Sequence, residues 1–75
     1  MVIFSEHSLL KLQHRNIEKS LVIKTIQKPD YKASGYSNRK IAYKKFELLY
    51  LKVVFTEEND NIIIITQHWD KQFKP

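Results

Sequence analysis

Cysteine is absent from the 75 residues, which excludes a disulfide framework, a thiolate metal site and a cysteine nucleophile. Glycine occurs once, at Gly35, so neither a phosphate-cradling loop nor a G-x-S-x-G nucleophile elbow is present. Apolar runs are short, Ile62 to Ile65 being as long as any, and a membrane span needs ~18 such residues. The opening MVIFSEHS carries no basic stretch ahead of a long apolar one, so no secretory signal is expected. What is present is a hydrophobic share of 43%, ordinary for a globular chain. The expectation is one small cytoplasmic domain over residues 1–75, away from membranes. A core this small and without cross-links has a thin stability margin, which favours a homo-oligomer or a tight partner.

Acidic residues are scarce in the middle of the chain. Between Leu10 and Lys52 eleven basic residues face only Glu18, Asp30 and Glu47, a net of +8. The remainder holds two lysines against five acids, a net of −3, and together these give the overall +5. A one-sided positive field suits a polyanion or an acidic protein partner. The plainer reading is a solvated lysine-rich surface.

The first half has helical periodicity. Glu6 to His14 places Leu9, Leu10 and Leu12 on one side at ~100° per residue, with His7, Lys11, His14 and Arg15 opposite. Ser5 is a natural N-cap and Glu6 complements the positive helix end. Asn16 tolerates the left-handed conformation that ends helices. A second helix is expected from about Glu18 to Gln27, burying Leu21, Val22, Ile23 and Ile26 and stopped by Pro29 and Asp30. Tyr31 to Asn38, around Gly35, reads as a loop or a short edge strand.

Beyond it the period becomes extended. Arg39 to Phe46, Leu49 to Phe55 and Ile62 to Trp69 are strand candidates rich in β-branched and aromatic residues. Glu47–Leu48 reads as a tight turn and Glu57 to Asn61 as a longer polar one. Ile62 to Ile65 is apolar on both faces, as in a covered strand. The fold expected is α+β, with two N-terminal helices packed on one face of a three- or four-stranded antiparallel sheet.

Metal chemistry finds little to work with. His7, His14 and His68 contain no i, i+4 pair, and His7 and His14 lie ~10 Å apart along a helix rising 1.5 Å per residue. No metal and no cofactor are expected. General acid–base chemistry on a phosphodiester remains open, because RNA carries its own nucleophile, the 2′-hydroxyl. Cleavage then needs a base, an acid and cations for the developing phosphorane charge. His7 and His68 are the candidate acid–base groups, Thr66 shares a strand face with His68 and could orient, and Arg15, Arg39 and Lys40 are the candidate phosphate ligands. Tyr43 is also of the right kind. Each has a plainer role open to it: His7 at a helix start, Arg39 and Lys40 on an edge strand, His68 packed near the sheet's end. A working site requires His7, Arg39 or Lys40, and the Thr66–His68 end of the last strand to converge on one surface. An antiparallel meander is expected to bring this about, with the start of its first strand near the end of its third.

The opening FSEHSLLKLQHRNI resembles a family of small prokaryotic proteins of uncharacterised function that begin F-[ST]-x-H-A-x-x-R-x-x-x-R-G-I. The residues that carry the resemblance are Phe4, Ser5, His7, Arg15, Ile17, Pro29–Asp30, Arg39–Lys40, Leu51–Val53–Val54 and Ile65–Thr66. Ser8, Lys11 and Asn16 replace the family's alanine, first arginine and glycine; Lys11 keeps the charge without the bidentate fork. In layout the family resembles the RelE/ParE-like toxins and the barnase-like metal-independent ribonucleases. That resemblance implies a toxin-like RNA endonuclease leaving a 2′,3′-cyclic phosphate, with RNA, ribosome-associated or free, as substrate and an antitoxin protein as partner. ParE-like members do not cut RNA, so a non-catalytic module that binds nucleic acid or an acidic protein is the alternative. In that alternative Tyr31, Tyr36 and Tyr43 offer stacking surfaces.

Overall fold

A computed structural model describes residues 1–75. Its elements are β1 (Val2–Phe4), α1 (Glu6–His14), α2 (Lys19–Gln27), β2 (Tyr31–Ser34), β3 (Lys40–Phe46), β4 (Leu49–Glu58) and β5 (Asn61–Asp70). The sheet order is β1-β5-β4-β3-β2. Four strands form the antiparallel meander, but β1 pairs parallel to β5, Val2 opposite Ile62 and Phe4 opposite Ile64. The sheet is therefore five-stranded and mixed, not the three- or four-stranded antiparallel sheet expected. Three residues are too few to show a period, and a partner sixty residues away leaves no local signature.

The helix starts follow from the side chains. Ser5 is extended and its hydroxyl accepts the Ser8 N–H at 3.1 Å, capping α1. Asn16 takes φ 52°, the left-handed turn expected of it, and Ile17 drops into the core. After α2, Asp30 extends the pairing of β2 with β3: its N–H donates to the Tyr43 carbonyl and its carboxylate accepts the Lys45 N–H, both at 2.8 Å.

Two hairpins are tighter than the rest of the sheet. Glu47–Leu48 joins β3 to β4 in two residues, with Phe46 opposite Leu49. Asn59 and Asp60, both at positive φ, join β4 to β5, as in a type I′ turn. The longer polar loop expected over Glu57 to Asn61 is thus only two residues, because both strands continue into the polar stretch.

The core lies between the helices and one sheet face and comprises Leu12, Ile17, Val22, Ala42, Leu51, Val53, Phe55 and Ile64. The expected α1 stripe is displaced: Leu12 is buried, but Leu9 and Leu10 are 41% and 52% exposed, and Ser8 takes the inward position. Its small side chain lets α1 approach β5. In α2, Val22 is buried as expected, Leu21 and Ile26 pack on the core, and Thr25 is also buried, its hydroxyl donating to the Leu21 carbonyl at 2.8 Å. Neither helix is long and apolar enough to cross a membrane.

Candidate nucleic-acid interface

Pairing register sorts the strand residues onto two faces. Ala42, Val53 and Leu51 look toward the helices. Successive side chains alternate, so Tyr43, Lys52 and Val54 stand on the other face. The step from the Val54–Thr66 pair to the Phe55–Ile64 pair skips Ile65, a bulge that resets the alternation along β5. Gln67 consequently points inward and is fully buried, while Thr66 and His68 share the outer, helix-free face. A single row crosses that face: His68 opposite Lys52, Lys52 opposite Tyr43, Tyr43 opposite Tyr31.

β1 ends at Phe4, so the outer edge of β5 runs unpaired beyond Ile64, and α1 supplies the missing donors. The Ser5 hydroxyl donates to the Ile65 carbonyl at 3.1 Å, and Arg15 Nη1 donates to the Gln67 carbonyl at 2.7 Å. Arg15 is thereby fixed beside His68 with its remaining guanidinium donors available. The His68 imidazole is held below its usual 6.5 by burial first, then by Lys52 and Arg15, with Asp70 acting against them. Cross-strand register sets it opposite Lys52, and the anchored Arg15 lies at its other side. The Tyr43 hydroxyl is pushed above its usual 10.0, by burial and then by the Asp70 carboxylate.

Five of the six expected site residues divide between this cluster and the far end of the sheet. Arg15, Thr66 and His68 gather around the outer half of β5. Lys40 does not join them: it pairs with Phe55, whose partner is Ile64, whereas His68 pairs with Lys52. That separation is ~10 Å along the strands at ~3.3 Å per residue, with the side chains on opposite faces. In a meander the first and third strands run parallel, so the start of β3 lies by the start of β5 and the expected convergence does not occur. Lys40 instead forms an ion pair with Glu57 at 3.0 Å, both half exposed. It borders a hollow of about 400 Å³ with Lys32, Ile26 and Phe55 on the helix side. Arg39 lies at the base of the Gly35–Asn38 loop, its carbonyl accepting the Gly35 N–H at 2.8 Å. His7 is exposed on α1 and makes no side-chain hydrogen bond to the β5 cluster.

Sequence reasoning missed Lys52 as a site residue, and Tyr50 and Phe73 as part of the aromatic surface. Lys52 was visible as the one cation among the outward residues of its strand. No group of three His, Asp or Glu side chains that could hold a metal ion gathers anywhere in the chain.

These features define a small α+β protein whose helix-free sheet face joins a cationic, histidine-bearing end to a tyrosine surface. A family model described as "Domain of unknown function (DUF4258)" matches residues 4–66, and the chain belongs to that family. The matched span takes in Ser8, Arg15 and Lys52 and stops short of His68 and Phe73. No curated protein and no solved structure matches the chain.

Proposed function

We propose that the chain is a toxin-like, metal-independent RNA endonuclease of the RelE/ParE-like plan, working in the cytoplasm at the His68 end of β5. The observation that carries this reading is the placement of His68 directly opposite Lys52 across the strands, with Arg15 anchored on the neighbouring Gln67 carbonyl. His68 takes the proton of the 2′-hydroxyl as the 2′-oxygen attacks phosphorus. Lys52 and Arg15 offset the charge that builds on the phosphorane oxygens, and Thr66 orients the ribose. The P–O5′ bond breaks and the 5′-oxygen takes a proton from water, leaving a 2′,3′-cyclic phosphate and a 5′-hydroxyl. Arg39 and Lys40, at the other end of the sheet, serve more distant phosphates, and His7 has no part in the bond cleavage. An acidic antitoxin-like partner would cover the same cationic surface.

Purified protein incubated with mixed RNA and chelator should produce cyclic-phosphate ends. His68→Ala should abolish them and His7→Ala should not. RNA left intact at high protein concentration would reject the enzyme. A non-catalytic RNA-binding module is the second reading, favoured by the tyrosines on the same face; salt-sensitive binding without new RNA ends would select it.

A further inference from the structure

Phe73 lies three residues beyond β5, yet its ring sits over the middle of the helix-free sheet face. The turn that returns it is built by Asp70, whose Oδ1 accepts the N–H groups of Gln72 and Phe73, each at 3.0 Å. The ring stacks on Tyr43 with centroids 3.8 Å apart and planes 11° from parallel. Tyr31 and Tyr50 meet it edge-on at 5.6 and 5.0 Å, and they stand 6.0 Å from each other. Three adjacent strands thus supply a floor and two walls around one flat ring. Tyr43 is only 9% exposed although no helix covers its face.

Three observations point to the guest such a stall would take. A near-parallel ring over a tyrosine is the arrangement a nucleobase adopts on an aromatic side chain. Phe73 belongs to no strand, and its N–H is held by the Asp70 turn alone, so it can leave without breaking the sheet. The floor adjoins a cation: Tyr43 is opposite Lys52, and His68 is one strand further, or ~5 and ~10 Å away at the usual strand spacing. A flat group joined to an anion fits this sequence of surfaces, and an aliphatic protein side chain does not.

We infer that Tyr31, Tyr43 and Tyr50 form a nucleobase-stacking subsite for single-stranded RNA, which Phe73 fills in the free chain and vacates on binding. The inference rests on the reading of the adjacent Lys52–His68–Arg15 cluster as a phosphate site. It adds the element that distinguishes a nucleotide from any other polyanion.

Two uncleavable probes of equal charge separate the two claims: 2′-O-methyl pentaadenylate and its abasic counterpart. Phe73→Ala should bind the adenylate about tenfold more tightly and Tyr43→Ala about tenfold more weakly, within the range of one base stack. The abasic probe should bind all three proteins alike. In the unaltered chain, whose folding is not in question, the adenylate should move the Phe73 ring resonances toward those of a solvated phenylalanine. Equal affinity for both probes in every protein would remove the subsite and leave the phosphate reading standing. Binding of neither probe at low salt would remove both. Weaker adenylate binding by folded Phe73→Ala would make Phe73 part of the landing surface and overturn its role as occupant.

Discussion

Ser8 and Gln67 exchange two hydrogen bonds across the α1–β5 interface. The serine hydroxyl donates to Gln67 Oε1 at 2.5 Å, and Gln67 Nε2 donates to the Ser8 carbonyl at 3.0 Å. Both side chains are completely buried, and no buried side-chain polar atom in the chain is left without a partner. Removing one member strands the other. Ser8→Ala should cost about 1–2 kcal/mol and Gln67→Leu about 1–3 kcal/mol. The double substitution should cost clearly less than their sum, because it removes both polar groups together. Thermal melts resolve this, at roughly 4–8 °C per kcal/mol for a chain of this size. Strict additivity would show that the pair is not coupled.

The His68 imidazole makes stability depend on pH. Its value is lowered in the folded chain, so just below 6.5 the unfolded chain binds more protons at this site. The stabilisation linked to it is therefore complete above about pH 6.5 and is lost as pH falls through the lowered folded value. Denaturation at pH 7.5 and 5 should show a smaller difference in His68→Gln than in the parent. By NMR titration, Lys52→Ala should raise the His68 midpoint and Asp70→Asn should lower it. Insensitivity to both would mean burial alone sets the value.

Glu47 occupies a positive-φ position, at 59°, in a two-residue hairpin. A non-glycine residue there costs roughly 1–2 kcal/mol, partly offset by the greater unfolded-state entropy of glycine. Glu47→Gly should gain about 0.5–1 kcal/mol and raise the melting temperature by several degrees. A fall would show that the glutamate stabilises the turn by some contact of its own.

RNA binding should weaken with salt at a log–log slope of about −0.7 for each phosphate neutralised on a single strand. Lys52→Ala and Arg15→Ala should each flatten the slope by about 0.7. Lys24→Ala, on the exposed side of α2, should leave it unchanged. Equal effects from all three would mean diffuse attraction with no preferred face. Arg15→Ala should also destabilise the fold, since it leaves the Gln67 carbonyl without its donor; Arg15→Lys separates the two effects by keeping the charge.

The helices, the meander and the Ser5 and Asn16 devices were legible because each is specified by residues close in sequence. Two features were not. The pairing of β1 with β5 depends on neighbours sixty residues apart. The bulge at Ile65 depends on how β4 and β5 fit together, and it alone decides that Gln67 turns inward. The exposed Leu9 and Leu10 have the same origin: a leucine-rich helix predicts an apolar stripe, but the approach to β5 selected small Ser8. Thr66 and His68 were correctly placed on one face because both follow the bulge. Lys40 and His68 stand apart because β3 and β5 run parallel, which puts Lys40 level with Ile64 and leaves His68 toward the far end of β5.

The parallel strand β1 also fixes an order of assembly. The hairpins β3–β4 and β4–β5 close over two residues each, whereas joining Met1 and Ser5 to Ile62 and Ile64 encloses some sixty residues. Closing that loop costs roughly 3–4 kcal/mol of chain entropy. Local contacts should therefore form first, with β1 seating last, on a meander already made. Opening should run in reverse: in a hydrogen-exchange measurement the amides of Ser5 and Ile62 should exchange with solvent before those of Val53 and Leu51.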